Sequence, residues 1–236
     1  MFKKIMVVAA LGCFSLTTSA AIVDWSPAYD TSSDADVETI GTLVEAINPS
    51  FSDYDGLDIT VNGVTFTYNS TVLDLDTEAS LLGEGDTSGD LNYDTFLSTF
   101  DYGNGTDPYS YTLADGLLNA GATYMVQLWF TDSRDHLAYD YMSYGDGQGN
   151  SVSLYNKGDN SLGEYAVGYF IADGDGQELV MQTGEFYSNI HLTAYQVREI
   201  SVDQYGYAVD ARVGVLGVMG LMMVGCGALK QRRRQG

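Results

Sequence analysis

Cysteine is nearly absent: Cys13 lies close to the N-terminus and Cys226 close to the C-terminus, so residues 22–210 contain none. A disulfide framework and a Cys-ligated zinc site are therefore excluded for the body of the chain. Basic residues are almost as scarce. All 32 acidic residues, 24 of them Asp, lie between Asp24 and Asp210, against only Arg134, Lys157 and Arg198. The body thus carries a net charge of −29, more extreme than the −22 of the whole chain. So acidic a surface repels phosphate backbones and excludes nucleic acid as a partner. Histidine is limited to His136 and His191. No Gly-x-Ser-x-Gly elbow accompanies them, and no phosphate-cradling glycine loop or His-rich metal motif exists. The 32 acids guarantee close carboxylate pairs, but sequence cannot read their separation, so glycoside hydrolysis has no specific support. These absences point to a protein that is not an enzyme.

What is present begins with the ends. Met1 to Lys4 form a positive n-region, Ile5 to Phe14 a short apolar run, and Thr18-Ser19-Ala20-Ala21 a small-residue cleavage site. Residues 1–21 thus read as a signal peptide, cut after Ala20 or after Ala21. The competing reading is a lipobox, Ala10-Leu11-Gly12-Cys13, with Cys13 lipidated and only eight apolar residues before it. At the other end, residues 213–229 run Val213-Gly-Val-Leu-Gly-Val-Met-Gly-Leu-Met-Met-Val-Gly-Cys-Gly-Ala-Leu229, followed by Lys230 and Arg232 to Arg234. Seventeen uncharged residues are just long enough to span a bilayer. The basic cluster behind them favours a cytoplasmic C-terminus, with the acidic body outside.

The body, residues 22–203, reads as strands, with a linker at 204–212 before the 213–236 tail. Turn signals recur at Asn62-Gly63, Asp115-Gly116, Asp146-Gly147 and Asp173-Gly-Asp-Gly176, between runs rich in Val, Ile, Thr, Tyr and Phe. A two-residue hairpin joins 57–61 to 64–68. Further strands are expected at 109–113, 123–132, 152–155, 163–171, 177–183 and 190–200. Helical spacing fits 92–100, through Phe96 and Phe100 at i and i+4, and a second short helix is open at 36–47. The expected fold is all-β, an antiparallel sandwich with one or two short helices.

Two resemblances add to this reading. The C-terminal pattern of linker, glycine-rich apolar helix and terminal arginines resembles PEP-CTERM sorting tails over about 30 residues. It implies an exosortase-like sorting enzyme and export to a cell surface or an exopolysaccharide matrix. The family's Pro-Glu-Pro motif is missing, and Tyr205-Gly-Tyr-Ala-Val-Asp-Ala-Arg212 stands in its place. Within the body, Tyr124-Met-Val-Gln-Leu-Trp-Phe-Thr-Asp-Ser-Arg134, residues 163–173 and residues 190–197 resemble strands of malectin-like and galactose-binding-like jelly rolls. That resemblance implies a carbohydrate-binding ancestry and an extracellular polysaccharide as partner.

On the strand at 124–130, alternation puts Tyr124, Val126, Leu128 and Phe130 on one face and Met125, Gln127 and Trp129 on the other. Gln127 and Trp129, with Asp132, Arg134, Tyr139, Tyr141 and Tyr144 beyond them, are the candidate carbohydrate-binding residues. Aromatic faces stack on sugar C–H groups, and amides and carboxylates take hydroxyls. The alternative is that Trp129 packs under a neighbouring strand, Arg134 pairs with a local Asp, and the tyrosines cover an edge. His191 is expected on a solvent face. Asp86-Thr-Ser-Gly-Asp-Leu-Asn-Tyr-Asp94 places oxygen donors like a calcium loop, yet Leu91 and Leu97 fill the positions needing Gly and an acid. It reads as an Asp-rich turn capping a helix that starts near Leu91. No cofactor is expected, apart from a single structural calcium left open by so much uncompensated carboxylate.

Overall fold

The computed structural model describes residues 20–49, 58–69, 78–80, 87–104, 107–132, 140–158, 161–184 and 189–201. The leader up to residue 19, the linker and the 213–236 segment lie outside them. Among the described residues no helix is long and apolar enough to cross a membrane.

The chain is mostly β. The strands, in chain order, are β1 (Asp24–Trp25), β2 (Tyr29–Asp30), β3 (Thr42–Asn48), β4 (Ile59–Val61), β5 (Val64–Tyr68), β6 (Glu78–Ser80), β7 (Thr99–Asn104), β8 (Tyr109–Leu113), β9 (Thr123–Phe130), β10 (Tyr141–Gly145), β11 (Ser151–Tyr155), β12 (Glu164–Ile171), β13 (Gln177–Thr183), β14 (Asn189–Leu192) and β15 (Ala194–Glu199). The largest sheet runs β1-β12-β9-β15-β3-β5-β4, with β2 also pairing β12. A second sheet runs β11-β10-β13-β8 and a third β14-β7-β6. Among the described residues the pairings are antiparallel except that of β3 with β5, which is parallel and was not expected. Leu128, Phe130, Tyr195 and Val197 from the large sheet share one core with Leu113, Met142, Tyr144, Leu154 and Met181 from the second. Two sheets burying their facing sides against each other is the packing of a β-sandwich. Glu45 of β3 fastens the two together: its carboxylate accepts from the Ala114 N–H at 2.7 Å and the Tyr195 hydroxyl at 2.9 Å.

Local chemistry explains several elements. The β4–β5 hairpin turns through Asn62 and Gly63, both at positive φ (45° and 75°), as a two-residue turn of this hand requires. The helix α1 (Leu91–Leu97) starts where Asp90 accepts from the Tyr93 N–H at 2.8 Å. Asp94 accepts from the Ser88 N–H and hydroxyl at 2.7 and 2.6 Å, so both acids serve the turn that starts the helix. The helix stops earlier than its apolar spacing suggested. Ser98 caps it, and Thr99 takes a hydrogen bond from the Asn48 side chain at 3.0 Å, which places Phe100 in β7. The 36–47 stretch is no α-helix: a 3-10 turn at Asp34–Asp36 leads through an extended strap into β3. The last strand divides at Thr193 into β14 and β15, which enter different sheets.

The sheet's second face is also covered. Tyr93, Phe96 and Leu97, on one side of α1, pack with Phe66, Val61, Val64, Ala194 and Trp129 into a separate apolar cluster. Farther along that face Met125, Val167 and Ile200 form a smaller one. Every residue of β9 after Thr123 is therefore buried.

Candidate functional site

The covering of that face decides the fate of the sugar platform. Trp129 is fully buried, with its ring edge-on to Phe96 at 5.2 Å and Phe66 at 5.6 Å. Gln127 is fully buried too. Its Oε1 accepts from the Glu38 N–H at 3.0 Å and from Gln196 Nε2 at 2.7 Å, while its Nε2 donates to the Asp36 carbonyl at 2.6 Å. The expectation of a solvent-facing platform at Gln127 and Trp129 is thus corrected: α1, the β4–β5 hairpin and the 36–41 strap lie over it. Of the other candidates, Asp132 is buried and Tyr144 sits in the inter-sheet core, its hydroxyl donating to the His191 carbonyl at 2.6 Å. Tyr141 is half-buried and lies against Tyr155 with ring centroids 5.3 Å apart. Arg134 and Tyr139 lie outside the described residues, as does His136. Trp129 and Tyr144 thus point to different cores, and the candidates among the described residues do not share one face. His191, expected on a solvent face, is 2% exposed and packs edge-on against Phe130.

The strap is held by a polar ladder that sequence reasoning missed. Gln196 of β15 lies opposite Gln127 of β9 in the sheet register, and Arg198 follows two residues on, on the same face. Gln196 Nε2 also donates to the Glu38 carbonyl at 3.0 Å. Arg198 donates to the Ile40 carbonyl at 2.6 Å, to Thr39 and Gly41 carbonyls at 3.0 and 3.2 Å, and to Gln196 Oε1 at 3.2 Å. One of the three body cations is therefore spent on backbone. Burial lowers the Arg198 pKa, and the charge of Glu38 works against that shift. Burial in turn raises the Glu38 carboxyl, with Arg198 pulling the other way. The available signal was polar residues at alternate positions of an otherwise apolar strand.

Beside the strap, the outer face of β12 carries an aromatic strip that remains partly exposed. Tyr29 and Tyr165 lie 5.5 Å apart, and Tyr165 continues to Trp129 at 6.5 Å, linking the strip to the buried cluster. Tyr169 stands two strand repeats further along the same face, beyond Val167. Burial, then the charges of Asp36 and Glu38, push the Tyr165 hydroxyl up to about 12. Burial and then Glu38 push Tyr169 up to about 12. At the strip's end Lys157 Nζ pairs with Glu164 at 2.7 Å and with the exposed Asp30 at 3.7 Å. Half-exposed tyrosine rings flanked by carboxylates can take sugar C–H faces and hydroxyls. Among the described residues no group of three or more His, Cys, Asp and Glu side chains could hold a metal ion. Comparison with family models, with curated proteins and with solved structures finds no match to this chain.

Proposed function

We propose that this chain is an exported, non-catalytic β-sandwich of the cell surface or extracellular matrix. It binds extracellular polysaccharide and is sorted or anchored through its 213–236 segment. The observation that carries the binding role is the Tyr29–Tyr165–Tyr169 strip with Asp36 and Glu38 beside it. The non-catalytic role is supported by how buried and half-buried polar side chains are used: Gln127, Gln196, Arg198, Glu45 and Asp146 all hold backbone groups. A body charge of −29 favours neutral or amino sugars over uronic or sulfated ones. A jelly-roll connection of the strands is part of the same reading.

The test is a glycan array and a polysaccharide pull-down with the full chain, alongside Tyr29→Ala and Tyr169→Ala. Binding by the wild type, weakened at least about tenfold in both variants with unchanged melting, is the expected result. No glycan binding by the wild type would leave a matrix protein without a small ligand. Release of shorter sugars on incubation would identify a hydrolase instead. Fractionation and mass spectrometry of the mature C-terminus check the sorting role, since a transpeptidase cut is expected between Tyr205 and Arg212.

A further inference from the structure

The sequence allows leader cleavage after Ala20 or after Ala21, and the packing of residues 21–26 shows which of the two products keeps the folded body whole. Ala21 and Val23 belong to the inter-sheet core. The Val23 N–H donates to Asp146 Oδ2 at 3.0 Å across 123 residues of chain. Asp24 and Trp25 pair with Tyr169 and Gly168 of β12, where the lack of a side chain on Gly168 makes room for Val23 and Trp25. Ser26 then exchanges two hydrogen bonds with Val167, at 2.7 and 3.0 Å. The upstream end of this staple is Gln177, 1% exposed, whose Nε2 donates to the Ala21 carbonyl at 3.0 Å. Its Oε1 is buried and has no hydrogen-bond partner among the described residues. A buried acceptor left unpaired is costly and signals a missing donor.

We infer that the mature chain begins at Ala21 and that the α-ammonium created there docks on Gln177 Oε1. The inference rests on the reading of the chain as exported. Hydrolysis adds water across the Ala20–Ala21 peptide bond. The Ala20 carbonyl departs as a carboxylate with the leader, and the Ala21 nitrogen becomes an ammonium. Leader peptidases act on the unfolded chain, so the fold does not direct the cut; it shows which residues the folded body needs. A cut after Ala21 would delete the carbonyl that Gln177 holds and a methyl group buried in the core. It would leave Ile22, which is 66% exposed, as the first residue. In the uncut chain the Ala21 nitrogen carries a single N–H fixed by the peptide plane. A freed ammonium offers three donors that rotate, and the Asp146 carboxylate two residues along favours its charge.

The test uses the full chain exported through its own leader, with its N-terminus determined by mass spectrometry. A start at Ala21 is expected. A start at Ala20, Ile22 or Val23 overturns the inference and leaves the export reading standing, whereas a start at Met1 removes both. Docking is tested on the same protein by the rate at which its α-amine reacts with an amine-specific reagent. That rate should be about tenfold slower in the native protein than in urea, the worth of one hydrogen bond to a charged group. In Gln177→Leu it should approach the unfolded rate. Equal rates in native and unfolded wild type would overturn the docking without any variant.

Discussion

Replacing Trp129 by alanine separates a stability role from a ligand role. The ring is fully buried and meets Phe96 and Phe66 edge-on, at interplanar angles of 87° and 86°. Truncating a buried tryptophan costs about 3–5 kcal/mol, part of it from the lost edge-to-face pairs. That is a large fraction of the roughly 5–15 kcal/mol that holds a domain of this size. At about 2–4 °C per kcal/mol for 150–250 residues, the melting temperature should fall by about 6–20 °C. Trp129→Phe keeps one ring in the cluster and should lose less. Thermal unfolding followed by far-ultraviolet circular dichroism reads this directly. Because the chain has only two tryptophans, Trp25 and Trp129, fluorescence adds a second probe. The apolar surroundings of Trp129 predict blue-shifted emission that disappears in the alanine variant. A variant that melts within about 2 °C of wild type, yet loses binding to a glycan, would refute the burial argument and restore Trp129 as a contact residue.

Two further outcomes follow from carboxyl groups taken wholly or partly out of solvent. Asp146 accepts from the N–H groups of Val23, Gln148 and Asn150 at 3.0, 2.7 and 3.1 Å, so Asp146→Ala should cost about 2–4 kcal/mol in urea unfolding and speed hydrogen exchange at Val23; an unchanged midpoint would refute this. Glu38 holds its proton more tightly folded than unfolded, so its contribution to stability falls as pH rises from the ordinary 4.5 through its raised native value. Glu38→Gln should flatten that part of the stability-against-pH curve and raise the midpoint at neutral pH. Parallel curves for the two proteins would contradict it.

The elements legible in the sequence are those set by neighbours along the chain. Asn62-Gly63 makes its turn because both residues accept positive φ, whatever packs around them. Asp90 starts α1 because a carboxylate three residues before a free N–H can cap it, and the same local chemistry makes Asp94 hold the turn before the helix. The bounds of β8 and β13 likewise follow from turn residues on either side of alternating runs. The candidate site was not legible in this way. Alternation along β9 correctly separates Trp129 and Gln127 from the inter-sheet core, but a strand buried on both faces and a strand with one open face can carry the same residues. What covers the second face comes from far away in the chain: Phe66 and Phe96 for Trp129, and the strap at Asp36 and Glu38 for Gln127. The partner of Gln127, Gln196, stands 69 residues away and is brought opposite only by the β9–β15 register. Phe100 leaves the helix for the same kind of reason, since the pairing of β7 with β6 and β14 outweighs one apolar contact at i+4. Short-range polar chemistry determined the turns and caps, whereas which faces are closed, and so which aromatics meet solvent, depended on contacts between segments that only the folded chain brings together.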